Sequence, residues 1–409
     1  MHSILEKARK AYELLQWPSS TTEEWRRTPM EKLKGLFQPD SFFQEKTNKI
    51  VMQDPGIYTY EESWGTVIHY KEGIWYLAKK EVSTLEIQTD FSQLSLPAQW
   101  ALEHRIESFS HRIEALSLAD PSTLLLLRIP PKVRLQKPVL LYLEEKDKTI
   151  FTPHIVILME KDTEAKIYTR FNLQRSTSRA SSPMFFNGGL TYYGLPNSYG
   201  TLVIDRVLSP EVVFLLSPRA YLKQDAFLQS LELHLGGPLS KTDLKIELLE
   251  KGARAELQGA YLAPPSSFLE MDLSQVHIEG QTQSNTLYKG VVGTGGKTVF
   301  QGLIVVKPGA SKTDAYLSNR NLLLGSGAHA DSIPRLNIGN DDVRCTHGST
   351  TGKIDPLQLF YLRSRGLSLT EARKLLIEGF FSSVLNPLTQ EVKEEILERI
   401  NHSVEQMSV

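Results

Sequence analysis

The 409-residue chain contains one cysteine, Cys345, with His347 two positions on, both inside Asp341-Asp-Val-Arg-Cys-Thr-His-Gly348. A thiolate and a neutral imidazole are both iron ligands. On a β-strand, side chains two apart point to the same face, about 6.6 Å apart along the backbone, so these donors can serve one site. One cysteine excludes an internal disulfide framework, and it excludes any metal or cluster site that takes four cysteines from this chain alone. A cluster held here must draw further ligands from a partner. The plainer readings are a small buried hydrophobe for Cys345 and a structural role for His347. Cys-x-His by itself does not choose between them.

Other segments invite chemistry and lose it on inspection. Gly290-Val-Val-Gly-Thr-Gly-Gly-Lys-Thr298 resembles a phosphate-binding loop. The glycine that such a loop needs five positions before Gly-Lys is Val291. The residues after Thr298 alternate as a strand, so no helix N-terminus faces a phosphate. Gly293 to Lys297 is therefore expected to be a hairpin turn, and a self-sufficient ATPase is disfavoured. His104 and His111 are seven apart, two helical turns rather than one, and His277 on a strand is expected to be a satisfied structural residue. His-Glu-x-x-His and Gly-x-Ser-x-Gly are absent from the sequence. Asp341 and Asp342 read as turn residues.

The hydrophobic period changes from 2 to about 3.6 just after His347, so a strand region ends there and a helical one begins. Upstream, from about Val139 to Val343, short alternating segments such as Ile155–Leu158, Leu231–Leu235, Leu244–Leu248 and Val299–Val306 follow one another, many separated by Gly, Pro, Asn or Asp. Almost nothing between them could be a crossover helix, so this is an all-β body of sandwich, barrel or solenoid type. No strict repeat selects the solenoid. Leu124–Leu127 reads as a buried strand. Helices are expected over 3–16, in a short patch around Leu33 and Leu36, and over 99–118, with mixed structure over 38–100.

Downstream, Asp355, Pro356 and Gln358 make a helix start with capping-box spacing, and Gly366 suits a left-handed stop. Ser368 and Glu371 repeat the box, Asn386-Pro387 breaks that helix, and Thr389 starts a last one whose face carries Val392, Ile396 and Ile400. Gly379 is expected to admit a close neighbour.

Lysine plus arginine (46) nearly equals aspartate plus glutamate (47), so no global field favours nucleic acid or an anionic membrane. The longest aliphatic run falls far short of the roughly 20 residues of a spanning helix. Charges within the first ten residues occupy the place of a signal-peptide core, giving an expected cytoplasmic location.

Asp341–Gly348, followed by Gly352-Lys-Ile-Asp355, Leu359-Phe-Tyr-Leu-Arg-Ser-Arg-Gly366, Glu371-Ala-Arg373 and Leu375-Leu376, closely resembles the SufB/SufD family of iron–sulfur cluster assembly scaffolds. The likeness extends to Lys289-Gly290, Phe300-Gln-Gly302 and Asn321-Leu-Leu-Leu324, and more weakly to Lys251–Gly259 and Glu24-Trp25-Arg26. The length and single cysteine resemble the SufD-type branch more than the SufB-type. The resemblance implies a mainly β fold, a right-handed parallel β-helix core over 121–350 between an N-terminal mainly helical region, 1–120, and a C-terminal helical domain, 351–409, for ATPase docking. It implies a non-catalytic subunit that meets a SufB-like paralogue edge to edge, in a complex with two copies of a SufC-like ATPase. It also implies a nascent iron–sulfur cluster at the subunit interface, with His347 and Cys345 as its candidate metal ligands here. Thr346 stands where serine is common and Ser311 where glutamine is common; neither change removes a candidate donor. A homodimer of the isolated chain and a flavin on the complex stay open. The competing reading is an independent β-solenoid enzyme or binding module for carbohydrate, which needs a groove of carboxylates or exposed aromatics that the sequence does not reveal.

Overall fold

A computed structural model describes residues 2–37, 50–51, 63–81, 84–89, 94–119, 124–146, 148–175 and 183–407. The β body is a parallel solenoid of about nine turns. Among the described residues there are two sheets, one of 11 strands and one of 10; from His154 on successive strands alternate between them, so each pairs in parallel with the strand one coil later, while Thr66–Lys71 with Ile74–Lys80 and Glu86–Gln88 with Leu124–Ile129 pair antiparallel. The coil length is nearly constant. The same register position advances from Arg254 to Gln283 to Asp314 to Arg344 in the first sheet and from Phe268 to Lys297 to His329 in the second. The repeat lies in geometry rather than in recurring residue types.

Alternation makes this architecture. Every second residue of both sheets points into the lumen, where Leu228, Leu257, Leu317, Phe300 and Ile304 belong to one continuous apolar core. Phe186 stacks on Phe214 across neighbouring coils, with centroids 4.3 Å apart and planes at 3°. Each such side chain removed from water contributes about 2 kcal/mol. Gly290 is required: a Cβ there would lie 1.9 Å from the Tyr261 ring, which crosses that coil toward Asn321.

The described residues include six α-helices: α1 (His2–Leu14), α2 (Leu96–Glu107), α3 (Arg112–Ala119), α4 (Pro356–Ser364), α5 (Leu369–Phe381) and α6 (Gln390–Met407). The first three, with Trp25 and Leu33, pack on the second sheet against residues such as Val156, Phe185 and Val213. The last two pack on the first sheet, where Ile377, Phe381, Ile396 and Ile400 meet Leu231, Leu233 and Val291. Leu124–Ile129 is a buried strand, and no helix among the described residues is long and apolar enough to cross a membrane.

Four local expectations change. The helix expected over 99–118 is two, because Ser108 Oγ turns back to the Arg105 carbonyl at 2.7 Å and the Ser110 N–H binds the Glu114 carboxylate at 2.8 Å, ending one helix and starting the next. The turn at Gly293–Lys297 joins Gln283–Val292 of one sheet to Lys297–Val306 of the other, so it is a solenoid corner and not a hairpin. Asp355 caps α4 through the Leu357 N–H at 2.9 Å instead of forming the reciprocal box with Gln358. Nothing packs where a Gly379 Cβ would stand. The Ser368–Glu371 box forms, and Gly366 has φ +98°. The mixed stretch 38–100 falls partly outside the described residues, and Leu36 lies in the short 3-10 helix Met30–Phe37.

Candidate functional site

Cys345 and His347 lie on Arg344–Lys353, the last strand of the first sheet. Cys345 pairs in register with Ala315 and His347 with Leu317. Both of those residues belong to the lumen core, whereas Tyr316 between them is exposed. Strand parity therefore sets both donors on the lumen-side column, as the spacing requires, at the end of the stack where no further coil among the described residues covers them. His347 is exposed and Cys345 half-buried. Burial, with the nearby Asp314 carboxylate, pushes the Cys345 thiol up, against a hydrogen bond to the Ala315 backbone. A thiolate here thus needs a cation to stabilise it.

The last strand of the second sheet, His329–Ile338, ends its stack in the same way. Both terminal strands pair on one side only among the described residues and bury no residue; Arg344–Lys353 is mostly exposed and His329–Ile338 mostly half-buried. Free parallel edges of ten residues each are templates for another chain's strands. Beneath the final coil, the lumen column that carries His347 continues as Ser349 and Thr351 over Asn319 and Asn321. Asn319 donates to Tyr261 Oη at 2.8 Å and Asn321 to the Asn319 side-chain oxygen at 2.8 Å. This buried polar patch was not singled out from sequence, because Asn and Tyr on an alternating strand look like outward residues.

The three histidines weighed in the sequence hold structural places. His104 lies 3.0 Å from Glu247, and His111 meets Trp25 edge to face. His277 is buried between Thr282 and Ser284 at 2.7 and 2.9 Å, and burial pushes its imidazole down to about 4. Among the described residues no group of three or more His, Cys, Asp or Glu side chains is arranged to hold a metal ion.

Directly after the terminal strand, α4 buries no residue of its own. Leu357, Phe360 and Tyr361, at i, i+3 and i+4, are 76%, 71% and 56% exposed. Nothing in the described chain covers this apolar face. Behind it, α5 and α6 are held by the Lys374–Glu405 pair, by Asn401 to Glu378 at 2.6 Å, and by Arg399 to Asp205 of the first sheet at 2.7 Å.

Comparison with known proteins agrees with this architecture. The family model described as SUF system FeS cluster assembly, SufBD core domain, matches residues 142–380. An iron–sulfur cluster assembly SufBD family protein of Mycobacterium leprae is 36% identical over 203 residues, 47% of this chain and 52% of that protein. The iron–sulfur cluster assembly protein SufD of Escherichia coli is 34% identical over 180 residues, 44% of this chain and 43% of that protein. SufD of Bacillus subtilis is 25% identical over 312 residues, covering 76% and 70%. The chain spans about half the length of the first curated relatives it matches. With more than half of its residues inside the matched core, the chain belongs to the SufBD family of the SUF iron–sulfur cluster assembly system.

Proposed function

We propose that this chain is a SufD-like, non-catalytic scaffold subunit of an iron–sulfur cluster assembly complex. Its terminal coil pairs edge to edge with a SufB-like paralogue, its C-terminal helices carry a SufC-like ATPase, and the nascent cluster is the cargo at the shared edge. The observation that carries this reading is the coincidence of three features on one coil: two free strand ends, the sole cysteine and an exposed histidine on the lumen column. His347 and Cys345 supply one or two donors, and the paralogue supplies the rest. The domain division at about residues 120 and 350 follows the same assignment of roles, and the assembly works in the cytoplasm.

Co-purification tests it. The tagged chain, co-expressed with its genomic neighbours, is expected to retain a SufC-like ATPase and a SufB-like paralogue. Recovery of a stable monomer with neither would overturn the reading, and recovery of a homodimer alone would leave the edge pairing but remove the paralogue.

One observation favours the carbohydrate-module alternative. Tyr199, Phe227 and Tyr316 line an open groove of about 590 Å³ with Arg254, Glu256 and Asp314 on the first sheet's outer face. Its carboxylates are engaged, Glu256 by Gln229 at 3.2 Å and Asp314 by Arg344 at 3.5 Å, which leaves no free acid–base pair. Saturable oligosaccharide binding lost in Tyr316→Ala would favour that alternative.

A further inference from the structure

Successive peptide groups of a strand point alternately to its two neighbours, and in the terminal strand His329–Ile338 this fixes what the free edge offers. The His329 N–H donates to the Gly296 carbonyl at 3.0 Å, and just past the strand the Gly339 N–H donates to the Val306 carbonyl at 2.8 Å. The register between them is unbroken, so the odd-numbered residues bond inward, and Ala330, Ser332, Pro334, Leu336 and Ile338 face the open side. Proline has no N–H. The edge therefore lacks one donor at its middle, and a carbonyl brought there by an added strand finds no ladder partner.

The same gap occurs inside the solenoid and is filled there. Pro218 of Val212–Leu222 stands opposite Leu244, at the head of the register column that runs through Leu273 and Gly302 to Pro334. The Lys223 N–H bonds back to the Gly194 carbonyl at 2.9 Å, so Pro218 too faces the following strand, Leu239–Leu248, and pairing with that strand lapses at Ser217 and Pro218. In this ladder an N–H meets the carbonyl before its register partner, as His329, paired with Lys297, meets Gly296. The carbonyl deprived by Pro218 is thus that of Asp243. Arg219, the residue after the proline, supplies the donor: Nη1 reaches that carbonyl at 2.5 Å and Nη2 the Asp243 carboxylate at 2.6 Å. Nη2 also reaches Glu114, at 3.4 Å. The planar fork of arginine suits this double contact.

The terminal strand repeats the pair as Pro334-Arg335, with Arg335 in the register column and on the outer face of Arg219. No described strand lies beyond it. Its one ion pair among the described residues is with Glu23 at 3.9 Å, its side chain is 40% exposed, and its Nε is buried without a hydrogen-bond partner.

We propose that Pro334-Arg335 is a recognition element for the partner's edge strand: Arg335 binds the strand carbonyl that faces Pro334, together with an acidic side chain beside it on the outer face. This rests on the edge pairing proposed above and names the residues that select the partner. A second copy of this chain fits poorly. The outer-facing residues of Arg344–Lys353 include no acid, and on His329–Ile338 the one acid, Asp331, is held by His329 at 2.9 Å. In a two-fold dimer the missing donor also counts twice. The occupant is therefore a strand of different sequence, the paralogue's, with Asp or Glu at that place.

The test is the dissociation constant of the purified full-length chain with the SufB-like paralogue, for wild type, Arg335→Met, Pro334→Ala and the double variant. Arg335→Met is expected to weaken binding about thirtyfold, as for loss of a hydrogen bond to a charged group, with the thermal midpoint of the free chain unchanged. Pro334→Ala restores the N–H, so the carbonyl no longer depends on arginine, and in that background Arg335→Met is expected to lose only about threefold, as for an exposed ion pair. Equal losses in the two backgrounds, or no loss in Arg335→Met, would overturn the inference and leave the edge pairing standing. Absence of binding by the wild-type chain would overturn the pairing itself, and the inference with it. Should Arg335→Met not fold, Arg335→Lys keeps the charge without the fork and is expected to lose part of the affinity; full affinity there would count against the proposal.

Discussion

Lys289 Nζ donates to the carbonyl oxygen of Phe380 at 2.6 Å and lies 5.0 Å from the centre of that residue's ring. The ammonium thus caps the last turn of α5 from the first sheet, where the helix presents unsatisfied carbonyls and partial negative charge. In register, Lys289 sits between Ala260 and Arg320, two coils before the terminal strand. The helical unit and the free edge are therefore tied to the same stretch of sheet.

Lys289→Met keeps the aliphatic stem and removes the donor. It is expected to cost about 1 kcal/mol of stability and to speed exchange of the last α5 amides while the lumen strands stay protected. Unchanged exchange in α5 would show that the contact does not hold the helix.

Asp205 anchors α6 more strongly, between Arg170 at 2.8 Å and Arg399 at 2.7 Å. Burial raises its carboxyl, but the two guanidiniums outweigh that and hold it below the usual range. Its stabilisation is present above the unfolded carboxylate value and is lost as pH falls through the lower folded one. Asp205→Asn, leaving Arg170 and Arg399 only the more exposed Glu395 as a partner, is expected to destabilise by about 2 kcal/mol at neutral pH and to flatten acid unfolding. Equal denaturation midpoints at pH 7 would contradict this.

The exposed α4 face predicts separable folding and binding. Phe360→Glu combined with Leu357→Glu should change stability by less than about 0.5 kcal/mol yet abolish capture of the SufC-like ATPase, as should truncation after Gly352 with the β body still folded. Retained capture by either variant would move the docking surface elsewhere.

No ATP turnover is expected from the chain alone. Lys297 lies at a solenoid corner that opens into a strand, with no helix N-terminus to receive a phosphate. Turnover that disappears in Lys297→Ala would refute this.

Much of this was legible in the sequence where local rules suffice. The Ser368–Glu371 box, Gly366 and the shared parity of Cys345 and His347 follow from spacing over a few residues, and each stands in the structure. The solenoid choice was not legible from alternation, because Leu257, Thr286, Leu317 and His347 occupy one lumen column with no common residue type. It rested on the family likeness of the Asp341–Gly366 stretch. The break at Ser108–His111 was hidden because the apolar positions stay roughly in phase on both sides of it. The charge cluster around Arg219 joins residues more than 100 positions apart, beyond any local pattern.

The central claim is that the terminal coil holds part of a nascent cluster. Reconstitution of the complex with wild type, His347→Ala and Cys345→Ser, followed by iron and acid-labile sulfide analysis, tests it most directly. His347→Ala is expected to assemble with its partners and load markedly less iron and sulfide, with an equal or smaller loss in Cys345→Ser. Full loading in an intact His347→Ala complex would contradict the claim, and failure of that variant to assemble would make the residue an interface element instead.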